Sequence, residues 1–416
     1  MKSPFTQNPL CSLKKSSNFK SLKSIALVTG TRAEWGLLYP LAKALKNTPF
    51  FKLSLIVTGA HLSKTLGNTY KEIQSDGFKI DTKIPILQDS SSTQLDIAKS
   101  LSTTIAAFSQ HFSTSPYDMV IILGDRYEAF GTSIACANLN IPIAHISGGE
   151  TTQGANDEYM RHCITKMSYL HFASTEIYRR RVIQLGENPS RVFNVGSLAV
   201  ENIHNTPLLT QAELESTLQT PADFLHSFCV LTFHSTTLES TNPTQEITLI
   251  LNALLQSPYK ILATKANADS GGTLINEVLE SYAKKYPQNI VLCASLGRML
   301  YLSSLKLANF VIGNSSSGLG EAPILRTPTI NIGDRQKGRL MPESVLAITP
   351  NPNDEKAYIQ AILDSIQTIT NKDFMDKAIT HPFGNGTTSQ QMIQILHNTL
   401  YNDTINLKKA FYDIEP

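Results

Sequence analysis

From His145 to Ser168 the chain reads HISGGETTQGANDEYMRHCITKMS, the densest run of proton-carrying groups in the sequence. Glu150, Asp157 and Glu158 supply carboxyls, His145 and His162 supply imidazoles, and Arg161 supplies a fixed cation. Carboxyls can take or give a proton during a reaction, and a neighbouring guanidinium sets how readily they do so. Asp157 with Arg161, and Glu158 with His162, stand four apart and would pair along one helix face. A further acid, Asp125, ends the apolar run Met119–Leu123 in ILGDRYE, with Arg126 beside it. A buried carboxylate requires a partner: Arg126, a histidine or a ligand for catalysis, or the N-terminus of a helix starting at Tyr127 if Asp125 only caps it. His61 in TGAHLS and His234 in TFHSTT each follow an apolar run, as general acids or bases or as ordinary loop histidines.

Other residues suit binding. GTRAEWG follows the first apolar run, where Gly30 permits a tight turn, the helix start favours an anion and Arg32 adds charge. This is not GxGxxG, so a dinucleotide is not implied. IGNSSSGLGE places Ser315, Ser316, Ser317 and Gly318 where backbone and hydroxyl groups can approach a phosphate. Glu321 is expected about one turn into the helix that follows, suited to bridging ribose hydroxyls. Asn267 in KANADSGG suits hydrogen bonds to a sugar or base, and GDRQKGR, beginning at Gly333 and including Arg335, brings cations toward phosphate or sugar. Together these loops predict nucleotide binding.

Such residues need strand ends to hold them. Short β-branched runs alternate with helical stretches: Ser24–Gly30, Lys52–Gly59, Met119–Leu123, Ile141–Ile146, His171–Ala173 and Val192–Val195. After a polar, proline-containing break the pattern restarts at Phe228–Phe233, Lys260–Thr264, Asn289–Cys293, Phe310–Ile312 and Thr329–Ile332. That alternation predicts an α/β protein of two Rossmann-like domains with parallel sheets, whose ligands bind at the carboxyl ends of the strands. The expected organisation is a basic, disordered tail over 1–23, a first domain over 24–205 bearing the acids, a second over 206–385 for the nucleotide, and a C-terminal segment over 386–416 whose helix packs back on the first domain.

Composition narrows the function classes. The chain has 416 residues and a net charge of +2, so nothing global points to nucleic acid or a membrane. No apolar run is long enough to span a bilayer, and the basic start lacks the apolar core of a signal peptide. Five scattered cysteines without a CxxC argue for a reducing cytoplasm and against a zinc site.

Jointly, GTRAEWGLLYP, TGAHLS, GDRYE, HISGGE, DEYMRHCITKMS, NADSG, GNSSSGLGEAP and GDRQKGR resemble the hydrolysing UDP-N-acetylglucosamine 2-epimerases of bacterial sialic-acid and legionaminic-acid pathways, from about Ile25 to Gly338. The resemblance implies a GT-B-like arrangement with the active site in the interdomain cleft, a UDP-sugar substrate, no cofactor or metal, and a homodimer. It implies elimination of UDP after loss of the C2 proton, then hydration of a 2-acetamidoglucal with a proton returned to C2 on the opposite face. Asp125, Glu150 and Asp157 then fall in acid/base positions, with His61, His145, His234 and Arg161 around them. Arg32, Arg126, Asn267, Ser315, Ser316, Ser317, Gly318, Glu321 and Arg335 fall where the family holds UDP. Some members carry a catalytic Glu where this chain has Ser147, so that role moves to Glu150 or Asp157 or is absent. Non-hydrolysing epimerases and GT-B glycosyltransferases share the frame and are the alternatives.

Overall fold

The computed structural model describes residues 21–414 except 65–66, 88–93, 152–156, 236–241, 267–271, 295 and 378–379. Thirteen strands are present among the described residues, in two fully parallel sheets. The first contains β1 (Lys23–Thr29), β2 (Phe51–Thr58), β3 (Thr82–Ile84), β4 (Met119–Leu123), β5 (Ile143–Ile146), β6 (Leu170–Ala173) and β7 (Val192–Asn194), in the order β3-β2-β1-β4-β5-β6-β7. The second contains β8 (Phe228–Thr232), β9 (Lys260–Thr264), β10 (Ile290–Cys293), β11 (Phe310–Gly313), β12 (Thr329–Ile332) and β13 (Val345–Ile348), in the order β10-β9-β8-β11-β12-β13. The two-domain α/β class expected from the alternation is therefore present.

Continuous apolar runs such as MVIIL in β4 are buried throughout because helices cover both sheet faces. On one face of the first sheet, Leu38, Leu41 and Leu45 of the Arg32–Asn47 helix pack on β1 and β2; on the other, Phe108 and Phe112 pack on Val120 and Ile122. In both sheets the chain runs outward to one edge, then returns to the middle and continues the other way. The resulting switch points lie between β1 and β4 and between β8 and β11. Crevices open at the carboxyl ends of the strands at such points, and the chemistry-bearing loops emerge there.

The helix Leu198–His204 belongs to both domains: Leu198 joins the first core, while Val200 and Ile203 join the second with Leu302 and Leu305. The late helix Thr388–His397 returns Met392, Ile393 and Leu396 to the first core. Truncating a buried leucine such as Leu396 to alanine costs about 2–5 kcal/mol. Beyond it, Lys409 donates to Glu187 at 2.6 Å, and the Tyr412 amide donates to the Gly186 carbonyl at 2.9 Å. Burial pushes the Glu187 carboxyl up, but donors from His171, Lys166 and Lys409 overcome it and hold the pKa at about 2.

Two strands escape the sequence pattern. β3 is three residues long with charged Lys83 at its centre, and β13 is a partly exposed edge strand, so neither has the apolar run of a central strand. Lys23, assigned to the tail by its charge, opens β1 and donates to Asp118 at 2.9 Å. Residues 1–20 lie outside the described residues.

Candidate active site

β4 ends at Gly124, whose positive φ of 78° lets the chain turn sharply into Asp125. His145 Nε2 donates to the Gly124 carbonyl at 2.8 Å, and its Nδ1 meets the Thr165 hydroxyl at 3.2 Å. That ring is fully buried, and its pKa falls to about 3, through burial above all. His145 thus braces the Asp125 turn, a positioning geometry for a residue expected to carry protons. His61 is held in the same way. Its nitrogens meet Thr69 Oγ1 at 2.8 Å and Thr29 Oγ1 at 3.1 Å, it is fully buried, and burial lowers its pKa to about 4.

Asp125 does not cap the helix Tyr127–Asn138, whose N-cap is Arg126. Its carboxylate instead forms an ion pair with Nη2 of Arg161, from the helix Asp157–Met167. The same guanidinium donates Nη1 to Glu158 Oε2 at 3.0 Å and to the Glu150 carbonyl at 2.8 Å. The expected Asp157–Arg161 pair is replaced by this arrangement, and Asp157 feels Arg161 only through space. The Glu158–His162 pair is present at 3.2 Å. Arg161 is nearly buried, so it acts as a fixed hub for three loops.

Around this hub stand two carboxyls whose pKa values are raised. Glu150 accepts from the Ser174 hydroxyl at 3.1 Å, and burial raises its pKa against the pull of Arg161. Asp157 is raised by burial and then by the charge of Asp125. Ser147 adopts a left-handed φ of 67°. A carboxylate paired to a fixed guanidinium beside two acids whose pKa values are raised is an arrangement suited to general acid/base chemistry.

A neighbouring set was not singled out by sequence reasoning. Glu34 accepts the Gly30 amide at 2.6 Å, and Arg126 forks onto Glu128 with two bonds of 3.2 Å. Arg126 also lies 4.0 Å from Glu34. Burial, then the Glu128 charge, raise Glu34 to a pKa of about 7. Arg126 is therefore committed to first-domain carboxylates in this structure. Both glutamates sit inside motifs quoted above, GTRAEWG and GDRYE, but an acid in a helix's first turn ordinarily reads as dipole complementation.

The second domain presents hydroxyls and backbone. Gly313, at the end of β11, has φ 136°, and a Cβ there would lie 2.0 Å from the Thr232 carbonyl, so β8 and β11 approach too closely for any side chain. Asn314 ties three loops together: it accepts the His234 amide at 2.8 Å, donates to the His234 carbonyl at 2.7 Å, and its own carbonyl accepts Gln336 at 2.8 Å and Arg335 at 3.3 Å. Ser315 Oγ accepts the Ser317 hydroxyl at 3.1 Å, and Ser316–Gly318 form a 3₁₀ turn. The helix expected here is only Glu321–Ile324, with Glu321 its first residue. A four-residue helix has a weak dipole, so anion binding would rest on the hydroxyls and loop amides. Gly318 packs on Thr329, where a Cβ would meet the methyl at 2.8 Å.

A cleft of about 930 Å³ lies between the domains, lined by Arg32, His234, Ser315, Ser316, Ser317 and Glu321 among others. Arg298 and Tyr301, which the sequence reading passed over, line it too. Arg298 donates to Asn202 Oδ1 and Thr206 Oγ1 at 2.8 Å each, and Asn202 Nδ2 donates to the Gly36 carbonyl at 2.5 Å. Burial raises Glu321, with Arg298 pulling the other way. No local signal marks Arg298, because only the fold brings it to the linker helix. Asp125, Glu150, Asp157, Arg126 and Arg161 do not line this cavity; the 338–340 segment reaches the first domain through Gly338 and Leu340. Asn267 lies outside the described residues. Among the described residues no group of three or more His, Cys, Asp or Glu side chains could hold a metal ion, and no helix is long and apolar enough to cross a membrane.

Comparison with known proteins agrees with this architecture. The family model for UDP-N-acetylglucosamine 2-epimerase matches residues 43–397. A GDP/UDP-N,N'-diacetylbacillosamine 2-epimerase (hydrolyzing) from Campylobacter jejuni is 45% identical over 80% of this chain and 86% of its own. The UDP-N,N'-diacetylbacillosamine 2-epimerase (hydrolyzing) of Legionella pneumophila is 31% identical over 94% of this chain and all (100%) of its own. The crystal structure of UDP-GlcNAc 2-epimerase from Neisseria meningitidis bound to UDP-GlcNAc shares the fold with a TM-score of 0.74 at 18% identity, covering 90% of this chain and 99% of that one. With a family model spanning most of its length and these relatives, the chain belongs to the UDP-N-acetylglucosamine 2-epimerase family.

Proposed function

We propose that the protein is a hydrolysing 2-epimerase whose substrate is UDP-N,N'-diacetylbacillosamine, the 2,4-diacetamido sugar named for its Campylobacter and Legionella relatives. The observation that carries this reading is the Asp125–Arg161 ion pair, flanked by Glu150 and Asp157 with raised pKa values. A binding protein or a simple transferase has no use for three such acids at adjoining strand ends.

In this reading UDP occupies the cleft, with the diphosphate on the Ser315–Ser317 loop near Arg32 and the ribose on Glu321, while Arg335 approaches from its contact with the Asn314 carbonyl beside that loop. The sugar extends past His234 toward the first-domain acids. One carboxylate takes the C2 proton, the C2–H electrons form the C1=C2 double bond, and the C1–O bond to the diphosphate breaks, releasing UDP. Water then adds its oxygen to C1 and gives up one proton to a carboxylate, while an acid held protonated by burial returns a proton to C2 on the opposite face. The balance is one water consumed, with UDP and the free 2-epimerised sugar formed. Arg161 orients Asp125 and steadies its charge throughout. A reducing, cytoplasmic setting suits the four free cysteines among the described residues, Cys136, Cys163, Cys229 and Cys293.

Phosphorus NMR with UDP-N,N'-diacetylbacillosamine and UDP-GlcNAc in separate tubes tests this. The reading predicts accumulation of free UDP, faster from the diacetamido sugar. Because the Campylobacter relative is named for both nucleotides, the GDP-linked sugar is the control for base selection. Epimeric UDP-sugars at equilibrium without free UDP would make it a non-hydrolysing enzyme. Turnover only with an added acceptor would make it a transferase.

A further inference from the structure

The loop after β12 belongs to the second domain, yet it reaches the first-domain acids. Thr151, next in the chain after Glu150, donates its hydroxyl to the Gly338 carbonyl at 2.5 Å. Leu340 donates its amide to the Tyr178 hydroxyl at 3.3 Å. Arg339 therefore sits between two residues, each tied across the cleft to the first domain. Gly338 has φ 83°, a turn that glycine allows without strain.

Glu150 is fixed from its own side as well. The Gly149 carbonyl accepts Arg181 Nη1 at 2.6 Å, and a Cβ at Gly149 would lie 2.3 Å from the Tyr178 carbonyl. The groups facing the Glu150 carboxyl are Arg161 and Asp125 from its own domain, Tyr178 and Ser174 beside it, and Arg339 from the other domain. Arg161 has its side-chain nitrogens on Asp125, on Glu158 and on the Glu150 backbone. Arg339 is thus the cation that reaches this acid only through docking of the second domain.

We propose that Arg339 is a positioning residue that couples cleft closure to catalysis, bringing its charge beside Glu150 only when the loop after β12 is docked on the first domain. An open cleft then leaves Glu150 without that cation and unready for proton transfer. A closed, UDP-loaded cleft completes the acid cluster, so a sugar is committed only once it is enclosed. The inference rests on Glu150 acting in proton transfer. Arg339 favours the ionised form of Glu150, so its loss shifts the Glu150 titration upward, whether that carboxyl serves as acid or base.

The experiment compares Arg339→Ala, Arg339→Lys and Glu150→Gln with the parent enzyme. Turnover is followed across pH, and UDP affinity is measured by calorimetry. Arg339→Ala is expected to lose about tenfold in kcat at neutral pH, the scale of one misplaced proton equilibrium. Its Glu150-controlled pH limb should move to higher pH, with UDP affinity unchanged. Arg339→Lys, which keeps a charge, should recover most of the limb position. An unmoved limb with Glu150→Gln inactive would overturn the proposal alone. So would a loss of UDP affinity that accounts for the whole effect, since Arg339 would then be a diphosphate ligand. Near-normal turnover by Glu150→Gln would instead remove the role of Glu150 and the proposal with it.

Discussion

The two strand-end regions occupy equivalent places, each at the switch point of a parallel sheet, yet they are built from opposite materials. The first-domain end, around Asp125, Glu150 and Asp157, is crowded with ionisable groups held by Arg161 and Arg126. The second-domain end, around Ser315, Ser316 and Ser317, is made of hydroxyls, amides and glycines held by Asn314. The difference teaches how one fold divides labour. A switch point supplies only a crevice; buried acids turn it into a proton-transfer site, whereas neutral donors and close backbone approach turn it into a phosphate site. Among the described residues of the second end, Glu321 faces the cleft and is opposed by Arg298 rather than by further acids.

Breaking the first end should cost the most. Asp125→Asn removes the charge that Arg161 orients, and turnover should fall by about 10²–10⁴-fold, the range for a lost acid/base, with UDP affinity retained. Equal losses in kcat and in UDP binding would show that the two ends are not separable.

Next in size is a stability effect that sharpens which histidines belong to the chemistry. His61 has a folded pKa of about 4, below its ordinary 6.5. The folded state therefore binds fewer protons than the unfolded chain between those values. Stability is complete above pH 6.5, falls by about 1.4 kcal/mol per unit as pH drops toward 4, and does not fall further on this account below it. His61→Gln should flatten that slope in chemical denaturation curves. An altered pH–rate profile with an unchanged stability slope would restore His61 to the catalytic set.

The second end should respond more gently and in a different quantity. Replacing Ser315 and Ser316 together by alanine should weaken UDP binding by about tenfold per lost hydroxyl, with kcat at saturating sugar little altered. A fall in kcat with intact UDP affinity would assign these serines to the chemistry instead.

The smallest effect is a displacement of the pH profile. Asp125 raises the pKa of both Glu150 and Asp157. In the residual activity of Asp125→Asn, the limb set by those acids should move to lower pH. Movement to higher pH would contradict the like-charge coupling inferred from the geometry.

Much of the frame was legible from the residues because buried parallel strands are continuous apolar runs and their ends are punctuated by glycine. GDRYE and GNSSSGLGE could thus be placed at strand ends without coordinates. The orientation of side chains was not legible. His145 lies in β5, buried on both faces, where alternation gives no sign of which side faces a ligand; it turns out to brace Gly124. His61 follows β2 by the same pattern and points inward. Arg298 escaped for another reason, since its partner Asn202 lies in the linker helix and nothing local records a contact across a cleft; Arg339, inside GDRQKGR, reads toward phosphate or sugar and not toward the first domain. Glu34 and Glu128 stand inside quoted motifs but carry no role in the sequence reading, since their pairing depends on the closeness of β1, β2 and β4.

Proton NMR of the reaction in D₂O, with UDP-N,N'-diacetylbacillosamine, tests the central claim most directly. If the first-domain acids remove and return the C2 proton, every free sugar molecule released carries deuterium at C2 with inverted configuration, and free UDP appears in equal amount. A product that keeps its C2 hydrogen, or a sugar released without epimerisation, would contradict the assignment of Asp125, Glu150 and Asp157 to proton transfer.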